Sequence, residues 1–129
     1  MALRIAIDVN RYSDYCRNQV ESTRVFQSAD VIAMPFVVLA ELRAGFLRGT
    51  KFRENESGLI RFLSSPRVSV LFADEATTHM YASLHTELAR AGTPIPINDL
   101  WIASLVLQHD LVLFSRDRHF DRIPHIARR

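Results

Sequence analysis

Ile5-Ala6-Ile7-Asp8 is the stretch that decides the fold, because three consecutive apolar residues end abruptly in an acid. Three further apolar runs of similar length occupy residues 31–34, 68–72 and 111–114. None of the four alternates cleanly between apolar and polar residues, which indicates strands buried on both faces, as in a parallel sheet covered by helices. The segments between the runs are long enough for crossover helices. The sequence therefore predicts a three-layer α/β/α domain with a mostly parallel central sheet, and a fifth, weaker strand near residues 125–127.

Three helices can be placed between these strands. One has an apolar stripe with a spacing of four residues, at Ala76, Met80, Leu84 and Leu88. Asp74 can cap this helix and Gly92 can end it. Residues 100–107 are nearly all apolar and predict a deeply buried helix, for which Asn98 is a good N-cap. Residues 36–46 predict a third helix.

Length and composition limit the class of protein. A chain of 129 residues with 48% apolar and 23% charged residues is expected to form a single globular domain over residues 1–129. No apolar run approaches the roughly 18 residues of a membrane span, and no secretion signal is recognisable. Cys16 is the only cysteine, which excludes an intrachain disulfide. These features predict a cytoplasmic protein that does not bind membranes.

The basic residues are strongly biased toward arginine. Of the 16 lysine and arginine residues, Lys51 is the only lysine. Arginine matches phosphate oxygens two at a time, so the bias favours a phosphate-bearing partner. Arginine on ordinary solvated surfaces, as encoded by a GC-rich genome, is the alternative explanation. The sequence contains neither a phosphate-binding P-loop nor a Gly-x-Ser-x-Gly nucleophile motif.

Four acids from remote segments are predicted to meet at one edge of the sheet. Asp8 directly follows the first strand, and Asp117 lies three residues beyond the last, where open α/β sheets bind ligands. Asp99 lies in the first turn of the buried helix, and Glu41 interrupts an apolar helical stretch. Each could instead be a turn residue, a helix cap or a solvent-facing acid. Together they indicate a cation site, because clustered carboxylates repel one another unless a cation neutralises them. Hard oxygen ligands without paired histidines indicate Mg²⁺ or Mn²⁺ rather than zinc.

Four motifs carry a resemblance to a known family: Asp8-Val9-Asn10, Ala40-Glu41-Leu42-Arg43-Ala44-Gly45, Ile97-Asn98-Asp99-Leu100-Trp101-Ile102-Ala103 and Ser115-Arg116-Asp117-Arg118-His119-Phe120. In order and spacing they resemble the motifs of PIN-domain ribonucleases, and most closely VapC-type toxins of type II toxin–antitoxin pairs. The resemblance runs from residue 5 to about residue 124. The sequence departs from the common pattern at Val9, Ser104 and His119, the last of which stands where many members carry an acid.

The resemblance implies a Mg²⁺-dependent endoribonuclease, with Mn²⁺ as a possible substitute, that cleaves RNA with a metal-activated water. It assigns metal binding and catalysis to Asp8, Glu41, Asp99 and Asp117, and supporting roles to Asn10 and Ser115. It also implies a cognate VapB-type antitoxin that blocks the acidic pocket, and a homodimer. Four arginines adjoin the acids in sequence and are candidates for RNA-phosphate contacts, or else ordinary surface residues: Arg11, Arg43, Arg116 and Arg118.

Two other functions are compatible with part of the pattern. A phospho-receiver signalling domain would need paired acids after the first strand, an acceptor aspartate after the third and a lysine near the last. Asp8 is unpaired and Lys51 is misplaced, so only Asp74 favours this alternative. The second alternative is a non-catalytic PIN-like domain that binds RNA or a protein partner. The intact acids argue against it.

Overall fold

The structure is a computed structural model that describes residues 2–129. Within those residues the chain forms four strands, six α-helices and one short 3₁₀ helix. The strands are β1 Arg4–Ile7, β2 Val31–Pro35, β3 Val68–Leu71 and β4 Val112–Phe114. The helices are α1 Val9–Cys16, α2 Val20–Ser28, α3 Phe36–Arg48, α4 Phe52–Leu63, α5 Glu75–Ala91 and α6 Ile97–Gln108, followed by the 3₁₀ helix Arg118–Arg122.

All strand pairs of the central sheet are parallel, in the order β3-β2-β1-β4. The helices complete the predicted three-layer α/β/α architecture. Strand β1 is central, and Ile5, Ala6 and Ile7 are fully buried, which explains why its sequence lacks polar alternation. Ile7 pairs with Phe114 of β4. This register places the next residues of the two strands, Asp8 and Ser115, side by side at the carboxyl edge of the sheet.

The end of the chain departs from the strand prediction. Residues 125–127 do not form a fifth strand, and a single parallel bridge joins Leu113 to Arg128 instead. The segment has no run of backbone bonds long enough to extend the sheet. Strand β3 also ends one residue earlier than expected, and Phe72 beyond it is 66% exposed.

The helix predictions hold except at one cap. Asp74 and Thr77 form a reciprocal capping box at the start of α5, and Gly92 ends that helix in the left-handed conformation with φ of 70°. Asn98, however, is not the N-cap of α6. The helix already begins at Ile97 after Pro96, so Asn98 lies inside the first turn with its side chain free for another partner. No helix within residues 2–129 is long and apolar enough to cross a membrane.

Candidate metal centre

Asp8 is a buried carboxylate held from both sides. It caps α1, and its Oδ1 accepts a hydrogen bond of 3.0 Å from the backbone N–H of Arg11. Its Oδ2 accepts a hydrogen bond from the hydroxyl of Ser115. Burial raises the pKa of Asp8, and the negative charge of Asp117 acts in the same direction, against these two hydrogen bonds and the charge of Arg11. A buried acid with a neighbouring acid favours binding of a cation.

Asp117 is held by the loop that follows β4. Its backbone N–H donates to Ser115 Oγ at 3.1 Å, so the Ser115 hydroxyl links Asp117 to Asp8. Its Oδ1 accepts from the backbone N–H of His119 at 2.9 Å and thereby caps the 3₁₀ helix. Asp117 can therefore cap the 3₁₀ helix and belong to the acidic site at the same time, because the cap uses only one of its two carboxylate oxygens.

Asp99 lies in the first turn of α6 and contacts a histidine. His119 Nδ1 donates to Asp99 Oδ2 at 2.7 Å and lies 3.1 Å from Asp117 Oδ1. Burial raises the pKa of Asp99, the hydrogen bond from His119 lowers it, and the charges of Asp117 and Glu41 raise it further. The imidazole thus joins two of the predicted acids.

Glu41 reaches the same site from α3. Its Oε1 accepts a hydrogen bond of 2.8 Å from the side-chain amide of Asn98, one residue before Asp99 in α6. The interaction explains why Asn98 does not serve as a helix cap. It connects α3 and α6, which carry two of the four acids.

A small cavity joins the four carboxylates. It has a volume of about 160 Å³ and is lined by Asp8, Val9, Asn10, Glu41, Asp99, Ile102 and Asp117. A larger cavity of about 340 Å³ lies elsewhere and has an aromatic and basic lining without a carboxylate, so size alone does not identify the site. The four acids predicted to converge are therefore brought together.

The donor set fits a hard divalent cation. Carboxylate oxygens from four segments surround one small cavity, and such oxygens are the ligands that Mg²⁺ and Mn²⁺ prefer. Ligand atoms of Asp99, Asp117 and His119 lie within 4.8 Å of one another, close enough to share one ion. Because His119 Nδ1 donates its proton to Asp99 in a hydrogen bond, the hard oxygen ligands for the ion come from the carboxylates.

Comparison with known proteins identifies the family. The family model described as "PIN domain" matches residues 7–126. The chain belongs to the PIN-domain family. A ribonuclease named VapC2 from Rickettsia felis is 33% identical over 119 residues, covering 92% of this chain and 85% of that protein.

Solved structures support the same assignment of this PIN domain. It is similar to VapBC2 from Rickettsia felis bound to a DNA fragment from its promoter, with a TM-score of 0.86, 27% identity and coverage of 98% of both chains. It is also similar to VapBC-1 from nontypeable Haemophilus influenzae, with a TM-score of 0.84, 26% identity and coverage of 98% of this chain and 97% of the other. These matches exclude the phospho-receiver alternative, and Asp74, its one supporting residue, is the cap of α5.

The four arginines of this PIN domain that were candidates for RNA-phosphate contacts differ in their exposure and in their partners. Arg11 is only 5% exposed, its guanidinium lies 4.0 Å from the centre of the Phe114 ring, and it pairs with Asp14 and Glu21. The prediction that Arg11 contacts RNA is therefore wrong, because α1 turns this side chain into the core. Arg118 is exposed and makes no ion pair among the described residues, so its role in RNA binding stays a prediction.

Arg43 and Arg116 are exposed but already have acidic partners. Arg43 forms a two-pronged contact with Glu56, with distances of 3.0 Å from both Nε and Nη2. Arg116 Nε lies 3.1 Å from Asp14 Oδ2. RNA would have to compete with these carboxylates for either guanidinium, and the interactions instead fix α3 against α4 and the β4 loop against α1.

The two polar residues predicted to support the acids, Asn10 and Ser115, differ in the contacts that they make. Ser115 contacts Asp8 and the Asp117 backbone, which is the supporting geometry expected of it. Asn10 lines the cavity but is exposed, and it makes no side-chain hydrogen bond to an acid within residues 2–129. The sequence pattern missed His119 and Asn98 as neighbours of the acids. Their positions inside the third and fourth motifs, next to Asp99 and Asp117, were the available indication.

Proposed function

We propose that this PIN domain is a Mg²⁺-dependent endoribonuclease, with Mn²⁺ able to replace Mg²⁺, and the toxin component of a type II toxin–antitoxin pair. The observation that carries the proposal is the convergence of Asp8, Glu41, Asp99 and Asp117 on one cavity. The relatives named as ribonucleases support the reaction type. A site made only of carboxylates would repel an RNA phosphate, so it needs a cation to bind its substrate.

The chain's own residues divide the work by position. Asp8, Asp99 and Asp117 are the ligands that would hold the cation, which would lower the pKa of a bound water and stabilise charge on the phosphate. The hydroxyl of Ser115 holds Asp8 and Asp117 next to each other, because it donates to the Asp8 carboxylate and accepts from the Asp117 backbone N–H. Glu41, fixed by Asn98, is placed to orient the attacking water or to hold a second cation. The water oxygen bonds to phosphorus as the bond between phosphorus and the 3′ oxygen breaks, and the departing 3′ oxygen takes up a proton. The products are a 5′-phosphate and a 3′-hydroxyl.

An antitoxin can silence the site by using the same electrostatics. A clustered set of carboxylates attracts a guanidinium, and an arginine can bond two carboxylates at once. An antitoxin arginine in the cavity would exclude both the cation and the RNA. Complexes described as VapBC from Rickettsia felis and Haemophilus influenzae are similar in structure, which supports a VapB-type partner for this chain.

We also propose that the protein self-associates through a surface next to the acidic cavity. Ile97 is 64% exposed although it is apolar, and it directly precedes Asn98 and Asp99 in α6. A homodimer that covered Ile97 would bring two acidic cavities close together. Sedimentation of the purified protein tests this directly, and Ile97→Glu should yield a monomer if this face is the interface.

RNA cleavage separates the enzyme from the non-catalytic alternative. The purified protein should cut RNA with Mg²⁺ or Mn²⁺, produce 5′-phosphate ends, and stop when EDTA is added. An RNA-binding module would instead retain RNA without shortening it under either ion. If the protein cleaves no transfer, ribosomal or messenger RNA with either ion, the non-catalytic binding module replaces the enzyme as the proposed function.

The toxin assignment has a separate test. Expression of residues 1–129 should arrest bacterial growth, and co-expression of the protein encoded by the neighbouring gene should restore it. If the neighbouring protein binds but leaves RNA cleavage unchanged, blocking of the acidic cavity is not the silencing mechanism.

A further inference from the structure

Arg128 makes direct contacts with the loop that carries two residues of the acidic site. Its Nη2 donates to the backbone carbonyl of Ser115 at 3.0 Å and to that of Asp117 at 3.1 Å. Its Nη1 donates to the Asp121 carboxylate at the far side. One guanidinium therefore contacts the carbonyl on each side of Arg116 while an acid holds it in place.

The backbone around Arg128 is fixed against β4. Leu113 N–H donates to the carbonyl of Ala127 at 2.8 Å, and Arg129 N–H donates to the carbonyl of Leu113 at 2.9 Å. These bonds form the bridge between Leu113 and Arg128. Because Leu113 is two residues before Ser115, the anchored segment reaches the loop that follows the strand.

The loop that holds Ser115 and Asp117 is fixed by side-chain hydrogen bonds rather than by the sheet. Ser115 and Asp117 lie beyond the last residue of β4, so their carbonyls are outside the sheet ladder. The side chain of Arg116 is tied to Asp14. A planar guanidinium donates in two directions at a fixed angle, whereas an ammonium group is a single point charge. Arg128 is thus suited to fixing the distance between the two carbonyls.

We propose that Arg128 is a positioning residue for the acidic site, holding the Ser115–Asp117 loop so that Asp117 and the Ser115 hydroxyl face Asp8. The expected effect of Arg128 on metal binding rests on the proposed function, whereas its expected effect on the order of the loop does not. Arg128 lies beyond residue 126, where the match to the family model ends. Nothing in the four motifs indicates it.

The first test compares Mn²⁺ binding by Arg128→Ala with that of Arg129→Ala. Arg129 is exposed, and its side chain forms no ion pair within the described residues, so the control removes the same charge from the same segment. Arg128→Ala should bind Mn²⁺ about tenfold more weakly, the scale of losses when residues that orient metal ligands are removed. Arg129→Ala should bind like the unmodified protein. Raising the Mn²⁺ concentration should restore RNA cleavage by Arg128→Ala. Because Mn²⁺ also stabilises the folded state, the metal-free variant must first show the circular dichroism spectrum of the unmodified protein, which excludes a folding defect.

The second test reports on the loop without any metal. The amides of Asp117 and His119 are bonded to side chains of the loop, so their hydrogen exchange follows its order. Exchange at both should accelerate in Arg128→Ala, and less in Arg128→Lys, which keeps the charge but not the fork. Unchanged exchange, or equal effects in Arg128→Ala and Arg129→Ala, would overturn the inference. If the unmodified protein binds no Mn²⁺, the proposed function fails and the exchange result alone decides the role of Arg128.

Discussion

The hydroxyl of Ser115 donates a hydrogen bond to the carboxylate of Asp8 across a sequence separation of 107 residues. Both side chains are buried at the carboxyl edge of the sheet. The contact follows from the parallel register of β1 and β4, in which Ile7 pairs with Phe114. The residues that directly follow this pair, Asp8 and Ser115, therefore lie next to each other. The first element of the chain and the last strand thereby meet at the acidic site.

Ser115→Ala is expected to reduce RNA cleavage by about tenfold or more, because Asp8 and the Asp117 backbone lose their shared hydroxyl. Ser104→Ala is the matched control, since Ser104 is equally buried but donates to Leu100 within its own helix at 2.7 Å. Initial rates of RNA cleavage at fixed Mg²⁺ measure the difference. Equal rates for the two variants would contradict the supporting role of Ser115.

The acids of this site could be predicted from the sequence because each belongs to a local pattern. Asp8 and Asp117 follow strands, and Asp99 lies in the first turn of a helix of almost continuous apolar character. Strand order was not needed, since the carboxyl ends of parallel strands share one edge. The contacts that support the acids required the tertiary structure. Arg128 reaches the β4 loop only because its segment runs along that strand, which no local pattern encodes.

Proximity in sequence misled the interpretation of Arg11. It lies three residues after Asp8, in the first turn of the helix that Asp8 caps, but its side chain is only 5% exposed. Arg11 packs on Phe114, and Asp14 and Glu21 supply its counter-charges. Adjacency to an acidic residue therefore does not predict contact with the substrate.

His119→Ala should weaken Mn²⁺ binding by about tenfold, because the imidazole holds Asp99 and lies beside Asp117. His79→Ala, an exposed substitution on α5, serves as the control and should bind Mn²⁺ like the unmodified protein. Calorimetric titration of both variants provides the measurement. Wild-type affinity in His119→Ala would show that the imidazole has no part in the metal centre.

Arg11→Ala should destabilise the fold by about 2–4 kcal/mol, since it removes one of the two charge partners of the buried Asp14 and the cation over Phe114. Arg118→Ala should leave stability unchanged, because Arg118 is exposed. Urea denaturation of the two variants measures the free energies of unfolding. Similar values for both would be inconsistent with the buried position of Arg11.

Asp74 should make the stability of α5 dependent on pH. The hydrogen bonds from Gln108 and Thr77 lower the pKa of Asp74 below its ordinary value of 3.8. A lowered pKa in the folded state means that the carboxylate stabilises the protein above pH 3.8, and that this contribution is lost as the pH falls through the lowered pKa. Asp74→Asn should therefore melt at a lower temperature than the unmodified protein at neutral pH. The two melting temperatures should converge in acid; a constant difference at every pH would argue against the charged cap.

The most direct test of the central claim is single-turnover cleavage of one end-labelled RNA by Asp99→Asn and by Asp110→Asn. Asp99 lines the acidic cavity, whereas Asp110 is exposed at a left-handed position, with φ of 52°, that asparagine also tolerates. Both substitutions remove one carboxylate at nearly constant size. A site in which the four acids act together predicts that Asp99→Asn loses most of its Mg²⁺-dependent cleavage, while Asp110→Asn cuts at the unmodified rate. Full activity in a folded Asp99→Asn protein would contradict the account.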